Sequence, residues 1–295
     1  MNKQSAKKIK YVFLLFGLFL SVSVIGQNKR PNILVIMADD ISRTSMGVYG
    51  SKYIKTPNFD RIAHEGVLFT NAYVSNPKCS PSRACFLTGR YSWQLEEAAN
   101  HIPVMPPKWK FYPELLESNG YSIGFTGKGW GPGVYYGEHN PAGWEFNNFN
   151  LKPPYSGISN KDYTSNFEQY LDTRDQNKPF CFWFGTHEAH RKYEKDSYKK
   201  AGKDLSKVSV QEFLPDNELV RGDLADYGVE VEYHDMMIGK ALDALSKRGL
   251  LDNTIIIVTS DQGMPFPRVK GQIYDEDFHV AFAVRWGDKI KPGRT

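Results

Sequence analysis

The chain has 295 residues, of which 41% are hydrophobic, 24% charged and 14% aromatic. That composition excludes a disordered polymer and a fibrous repeat, and the length allows one large domain or two small ones. Lys3, Lys7, Lys8 and Lys10 account for the formal charge of +4; without these four lysines it is zero, so no general affinity for nucleic acid is implied.

Those lysines precede an uncharged apolar stretch from Tyr11 to Ile25, with Ser21, Ser23 and Gly26 near its end. The pattern reads as a secretory signal peptide over residues 1–26, followed by a mature domain over 27–295. The apolar run is shorter than the roughly 20 residues of a spanning helix, which predicts an exported protein, periplasmic or secreted, without a stable membrane anchor. Three cysteines, Cys79, Cys85 and Cys181, do not make a disulfide scaffold. Cys85 and Cys181 lie in apolar surroundings and read as small buried hydrophobes. Cys79 needs another explanation.

Past a polar linker, Ile33 to Ala38 is a continuous apolar run that ends in Asp39-Asp40, as a buried parallel strand would. Thr56 and Pro57 open a short helix through Phe59, Ile62 and Ala63 that Gly66 ends. Extended chain from Val67 to Val74 leads to Cys79, and Ser80-Pro81-Ser82-Arg83 starts a helix running to about Thr88. Cys79 therefore stands at a helix N-terminus, where backbone N–H groups favour an anion. A helix over Pro113 to Asn119 and a strand over Tyr121 to Thr126 follow. The glycine-rich segment Gly127 to Gly133 lacks the spacing of a phosphate loop. Residues 131 to 161 read as a long surface loop and Phe167 to Leu171 as a helical face. Pro179 to Gly185 is a second core strand, ending at Thr186-His187-Glu188-Ala189-His190. The longest helix is expected from about Asp223 to Lys247, with Gly249 beyond it. Thr254 to Thr259 is a third core strand, ending in Ser260-Asp261-Gln262-Gly263, and Val280 to Val284 a fourth. Alternating helices and apolar strands predict an α/β sandwich around a mainly parallel or mixed sheet.

Polar groups follow three core strands: Asp39-Asp40, His187 and Asp261, the place where an α/β fold gathers its ligands. Asp39, Asp40 and Asp261 with the Gln262 amide oxygen form an all-oxygen set suited to a hard divalent cation such as Ca²⁺ or Mg²⁺. The alternative is a helix cap at the first pair and a plain turn at the second.

Cys79-Ser80-Pro81-Ser82-Arg83, followed by Thr88-Gly89-Arg90, resembles the signature of the formylglycine-dependent sulfatase family, of the alkaline phosphatase-like superfamily. Pro31 to Asp40, Thr56 to Asp60, Gly127-Lys128 and Asn253 to Gly263 resemble sulfatase segments in sulfatase order, as do Val269-Lys270-Gly271 and His279-Val280. The resemblance implies conversion of Cys79 to formylglycine by a formylglycine-generating or anaerobic sulfatase-maturating enzyme. It implies Ca²⁺ held by Asp39, Asp40, Asp261, Gln262 and residue 79. A hydrated aldehyde is a geminal diol: one hydroxyl attacks sulfur, and the second loses its proton to expel sulfate, where a serine would stall as an ester. Arg83, Lys128 and Lys270 would neutralise the transferring group, His187 would serve the leaving group, and His190 and His279 would bind substrate. The family commonly carries a histidine two residues after the lysine matching Lys128; here Trp130 stands there, leaving His101 and His139 as candidates for that base. The resemblance further implies a C-terminal antiparallel subdomain that these residues do not include. Ser260 to Pro267 and Phe184 to Tyr193 resemble the heparan N-sulfatase branch, so a sulfated glycan such as a glycosaminoglycan is the expected substrate. A phosphonate or phosphate diester hydrolase of the same superfamily, and an inactive glycan-binding chain, are the other expectations.

Overall fold

A computed structural model of the chain describes residues 30–295, and Pro31–Thr295 forms one compact unit. The signal-peptide reading of residues 1–26 lies outside the described residues. None of the described helices is long and apolar enough to cross a membrane.

Six strands form one sheet among the described residues: β1 (Asn32–Ala38), β2 (Val67–Leu68), β3 (Ser122–Gly127), β4 (Phe180–Gly185), β5 (Thr254–Ser260) and β6 (Phe282–Arg285). Their order is β2-β6-β5-β1-β4-β3. β3, β4, β1 and β5 run parallel, while β6 runs antiparallel to β5 and β2 antiparallel to β6. The mixed sheet agrees with the sandwich expected from the alternating pattern. The fourth strand begins two residues later than the sequence suggests, because Val280 leaves the ladder to donate its N–H to Ala72 O.

Alternation along β1 divides the core into two layers. Leu34, Ile36 and Ala38 face a layer shared with Phe182, Phe184, Ile256 and Val258. Val35 and Met37 face the other, with Ala84, Leu87, Phe125 and Trp183. The first layer is closed by helices α1 (Pro57–Glu65), α4 (Tyr163–Thr173) and α5 (Glu218–Lys247). The second is closed by α2 (Cys79–Thr88), with α3 (Tyr112–Ser118) at its margin.

Two helix starts show how local chemistry sets the boundaries. The Asp235 carboxylate of α5 accepts from the backbone N–H of Asn58 at 3.1 Å and of Phe59 at 2.8 Å, so α1 is capped by another helix. Helix α5 starts at Glu218, five residues before the expected Asp223. Asn217 Oδ1 accepts from Val220 N at 3.0 Å, and that cap carries the helix through Gly222.

Candidate active site

Parallel register brings the strand-end groups together. Ala38 of β1 pairs with Ser260 of β5, so the next residues, Asp39 and Asp261, leave the sheet side by side. Asp40 takes a left-handed backbone (φ 64°), which Asp tolerates better than most residues, and donates its N–H to Asp261 Oδ1 at 3.1 Å. Gly127, at the end of β3, has φ 71°; a Cβ there would stand 1.9 Å from Gly185 O, so only glycine lets Lys128 turn in against β4. β4 ends at the loop that bears His187, Glu188 and His190.

Cys79 is the first residue of α2, after Lys78 in extended conformation. Pro81 fits the first turn, where no intrahelical N–H is needed, and Gly89 closes the helix in a left-handed conformation with its N–H on Cys85 O. One turn beyond Cys79, Arg83 enters the sheet end fully buried. Its Nε donates to Asp261 Oδ2 at 2.8 Å, and its other nitrogens reach Lys128 O at 2.9 Å, Gly129 O at 3.0 Å and Ala38 O at 3.4 Å. Lys128 Nζ forms a close ion pair with Asp39 Oδ2, and Lys270 Nζ stands 2.6 Å from Asp40 Oδ2. The Cys79 thiol donates to Asp39 Oδ1 at 3.5 Å, and Gln262 Nε2 donates to Cys79 Sγ at 3.2 Å and to Asp40 Oδ1.

The charges of this cluster are decided by burial against pairing. Burial pushes the Asp39 carboxyl up, but Lys128 and Arg83 outweigh it and hold it below the usual range. Burial and then the Asp39 charge push Asp40 up, and burial with Asp39 does the same to Asp261. Burial and the neighbouring Asp261 raise the Cys79 thiol to about 11. Crowding by protein pushes the His187 imidazolium down, with Lys128 and Arg83 adding to the effect. His190 and His101 are lowered first by burial as well.

The donor set fits a hard cation. Asp39, Asp40 and Asp261 each offer a carboxylate oxygen, all within 4.8 Å of one another, at three buried positions. Gln262 Oε1 is buried with no partner, while its Nε2 is directed at Asp40. Interchanging the amide atoms would turn an oxygen toward the carboxylates, the orientation a cation requires.

A cavity of about 510 Å³ opens over the cluster, lined by Asp39, Cys79, Lys128, His187, His190 and, on its other wall, His101. The remaining sequence candidates are elsewhere. His279 does not line this cavity: Nε2 lies 2.7 Å from Thr70 O, Nδ1 3.2 Å from Asp275, and the ring stacks on Tyr73. It packs instead beside Tyr73 and Asp275. His139 is also turned away, with Nδ1 2.7 Å from Asn140 O and its ring against Trp144. Trp130 is buried and donates Nε1 to Ser80 O at 3.2 Å, bracing the first turn of α2. Cys85 and Cys181 are free thiols, the second buried.

Sequence reasoning missed a layer beneath the β4 loop. The Glu188 carboxylate accepts from Ser159 N at 2.9 Å and from Tyr163 OH at 3.0 Å, and Tyr163 OH accepts from His187 N at 2.9 Å. Glu230 of α5 is buried beside it with neither carboxylate oxygen bonded, and burial raises its carboxyl to about 9. The one sequence signal was an acid set between Val229 and Val231 in an apolar helix.

The sulfatase family model matches residues 31–295. An N-acetylglucosamine-6-O-sulfatase of Bacteroides thetaiotaomicron is 28% identical, across 91% of this chain and 65% of its own length. Human N-sulphoglucosamine sulphohydrolase is 31% identical, across 83% of this chain and 53% of its own. The chain thus spans about half to two thirds of the curated relatives it matches. Among solved structures, Ps i-CgsB superposes with a TM-score of 0.72 at 26% identity, covering 90% of this chain and 68% of that one. BT4656, solved with D-glucosamine-2-N,6-O-disulfate, gives 0.63 at 25% identity, covering 90% and 73%.

Proposed function

The chain belongs to the sulfatase family, and on that premise we propose that it is the catalytic part of an exported hydrolase of sulfate esters or N-sulfate groups on sulfated glycans. The observation that carries the proposal is the Cys79 cluster: a side chain at a helix N-terminus, against three buried carboxylates, with three cations around them. Formylglycine at position 79, installed by a maturation enzyme, would supply a geminal diol as nucleophile. Calcium held by Asp39, Asp40, Asp261, Gln262 and residue 79 would supply Lewis-acid polarisation of the sulfate oxygens.

The chain's own residues do the rest. Arg83 is fixed by Asp261 and by three backbone carbonyls, so it offsets the burial of Asp39 and Asp261 and cannot swing to substrate. Lys128 and Lys270 retain partial access, and their ammonium groups face the place where sulfate charge would lie. His187 and His101 both line the cavity as imidazoles whose burial lowers their proton affinity, suited to hydrogen-bond a leaving group and to accept a proton. Relatives acting on N-acetylglucosamine-6-sulfate and N-sulphoglucosamine support an aminosugar sulfate as the substrate class.

The test is sulfate release by the chain produced with a maturation enzyme, on defined sulfated saccharides and, in parallel, aryl sulfates and aryl phosphate diesters. Cys79→Ala is expected to lower turnover on the order of 10⁴-fold or more while saccharide binding persists. Equal turnover by that variant, or faster phosphate diester cleavage by the parent chain, would sink the proposal.

A further inference from the structure

Three of the side chains in this site form a second donor set of a different kind. Cys79 Sγ, a ring nitrogen of His190 and a carboxylate oxygen of Asp39 lie within 4.8 Å of one another. His190 Nδ1 is 2.7 Å from Arg191 O, so that nitrogen carries the ring proton. Nε2 is then left with its lone pair, directed toward the cluster 3.9 Å from Asp40 Oδ2. Gln262 Nε2 lies 3.2 Å from Cys79 Sγ and Asp39 Oδ1 3.5 Å from it, so the sulfur already sits among the donor atoms, and the metal must displace its proton.

We propose that, while residue 79 is a cysteine, Cys79, His190 and Asp39 bind a zinc ion. A sulfur, nitrogen and oxygen set suits Zn²⁺, whereas the all-oxygen set of Asp39, Asp40 and Asp261 suits Ca²⁺. Tetrahedral zinc ligands stand about 3–4 Å apart, given bonds of about 2.0–2.3 Å, so the set closes with a small movement. His190 can make it, because its side chain is 45% exposed. Binding forms a Zn–S bond, breaks the S–H bond and releases that proton to solvent, with no change of oxidation state. The fourth position opens to the cavity and can hold water.

Asp39 belongs to both sets, so the two ions compete for its carboxylate. Conversion of Cys79 to the aldehyde removes the sulfur and with it the preference for zinc. This last step rests on the proposed function; zinc binding by the thiol does not.

The test uses the full chain made without a maturation enzyme and titrated with Co²⁺ as the optical probe. One equivalent should produce a thiolate-to-cobalt charge-transfer band and tetrahedral ligand-field bands, and one equivalent of Zn²⁺ should abolish both. Cys79→Ser should lose the charge-transfer band, and His190→Ala, at an exposed position, should weaken binding about tenfold or more. Circular dichroism checks that each variant is folded. A Co²⁺ band that survives Cys79→Ser, or affinity unchanged in folded His190→Ala, overturns the proposal. Sulfate release plays no part in these readings, so loss of the sulfatase assignment and loss of the zinc site are separate results.

Discussion

Two groups of buried carboxylates lie in the molecule, one at strand ends and one between the β4 loop and α5, and they are met by different partners. Asp39, Asp40 and Asp261 are met by Arg83, Lys128 and Lys270, which hold Asp39 ionised and oppose the upward push of burial on the other two. Glu188 and Glu230 meet no cation; Glu188 has a tyrosine and a backbone N–H, and Glu230 has neither. The first group is paired with cations that offset its burial, and it offers oxygens to a metal ion. The second is built to be neutral and to hold the β4 loop by shape and hydrogen bonding.

Arg83→Leu should break this contrast most severely, because it leaves Asp261 buried without its partner. A loss of about 3–5 kcal/mol in urea unfolding is expected, partly restored by added Ca²⁺. A loss below about 1 kcal/mol would mean that Arg83 does not offset the burial of Asp261.

Glu230→Gln tests the other side. The carboxyl is raised from 4.5 to about 9 in the folded protein, so its favourable protonated form is complete below about pH 4.5 and is lost as pH climbs toward 9. The variant should therefore unfold less readily than the parent at neutral pH, by on the order of 1–3 kcal/mol. The difference should vanish near pH 4. Stability curves that run parallel from pH 4 to 9 would contradict a neutral Glu230.

Tyr163→Phe gives the smallest effect and tests the link between the two groups. It removes the acceptor for His187 N–H and the donor to Glu188, at a cost of about 1 kcal/mol. Turnover should fall more than saccharide affinity if the tyrosine positions His187; equal changes in both would assign it to stability alone.

The central strands were legible because β1, β4 and β5 are buried on both faces and read as unbroken apolar runs. β2 and β6 were less so, being two and four residues long at an edge, with boundaries set by pairing to each other and to β5. The cysteine motif and the strand-end carboxylates were legible one by one. Their joining was legible only through the family resemblance, because the Arg83–Asp261 bond spans 178 positions and no local spacing encodes it. The surroundings of His279 were not legible for the same reason: its partner Thr70 O is 209 positions away. The Glu188–Glu230 layer was hidden because its evidence is burial, and a glutamate in a helix otherwise reads as surface.

The position of β1 also has a kinetic consequence. The first strand of the sheet lies between β4 and β5, whose residues begin at 180 and 254. Asn32–Ala38 carries no charge and no proline, and it has no partner until most of the chain has emerged. Such topology gives slow folding, since distant contacts must form before the central strand is covered. In the meantime NILVIMA is an adhesive segment, able to pair with a copy of itself on another chain. Yield of folded protein should therefore depend on how long β1 waits, and so on synthesis rate and chain concentration more than on the final stability of the sheet.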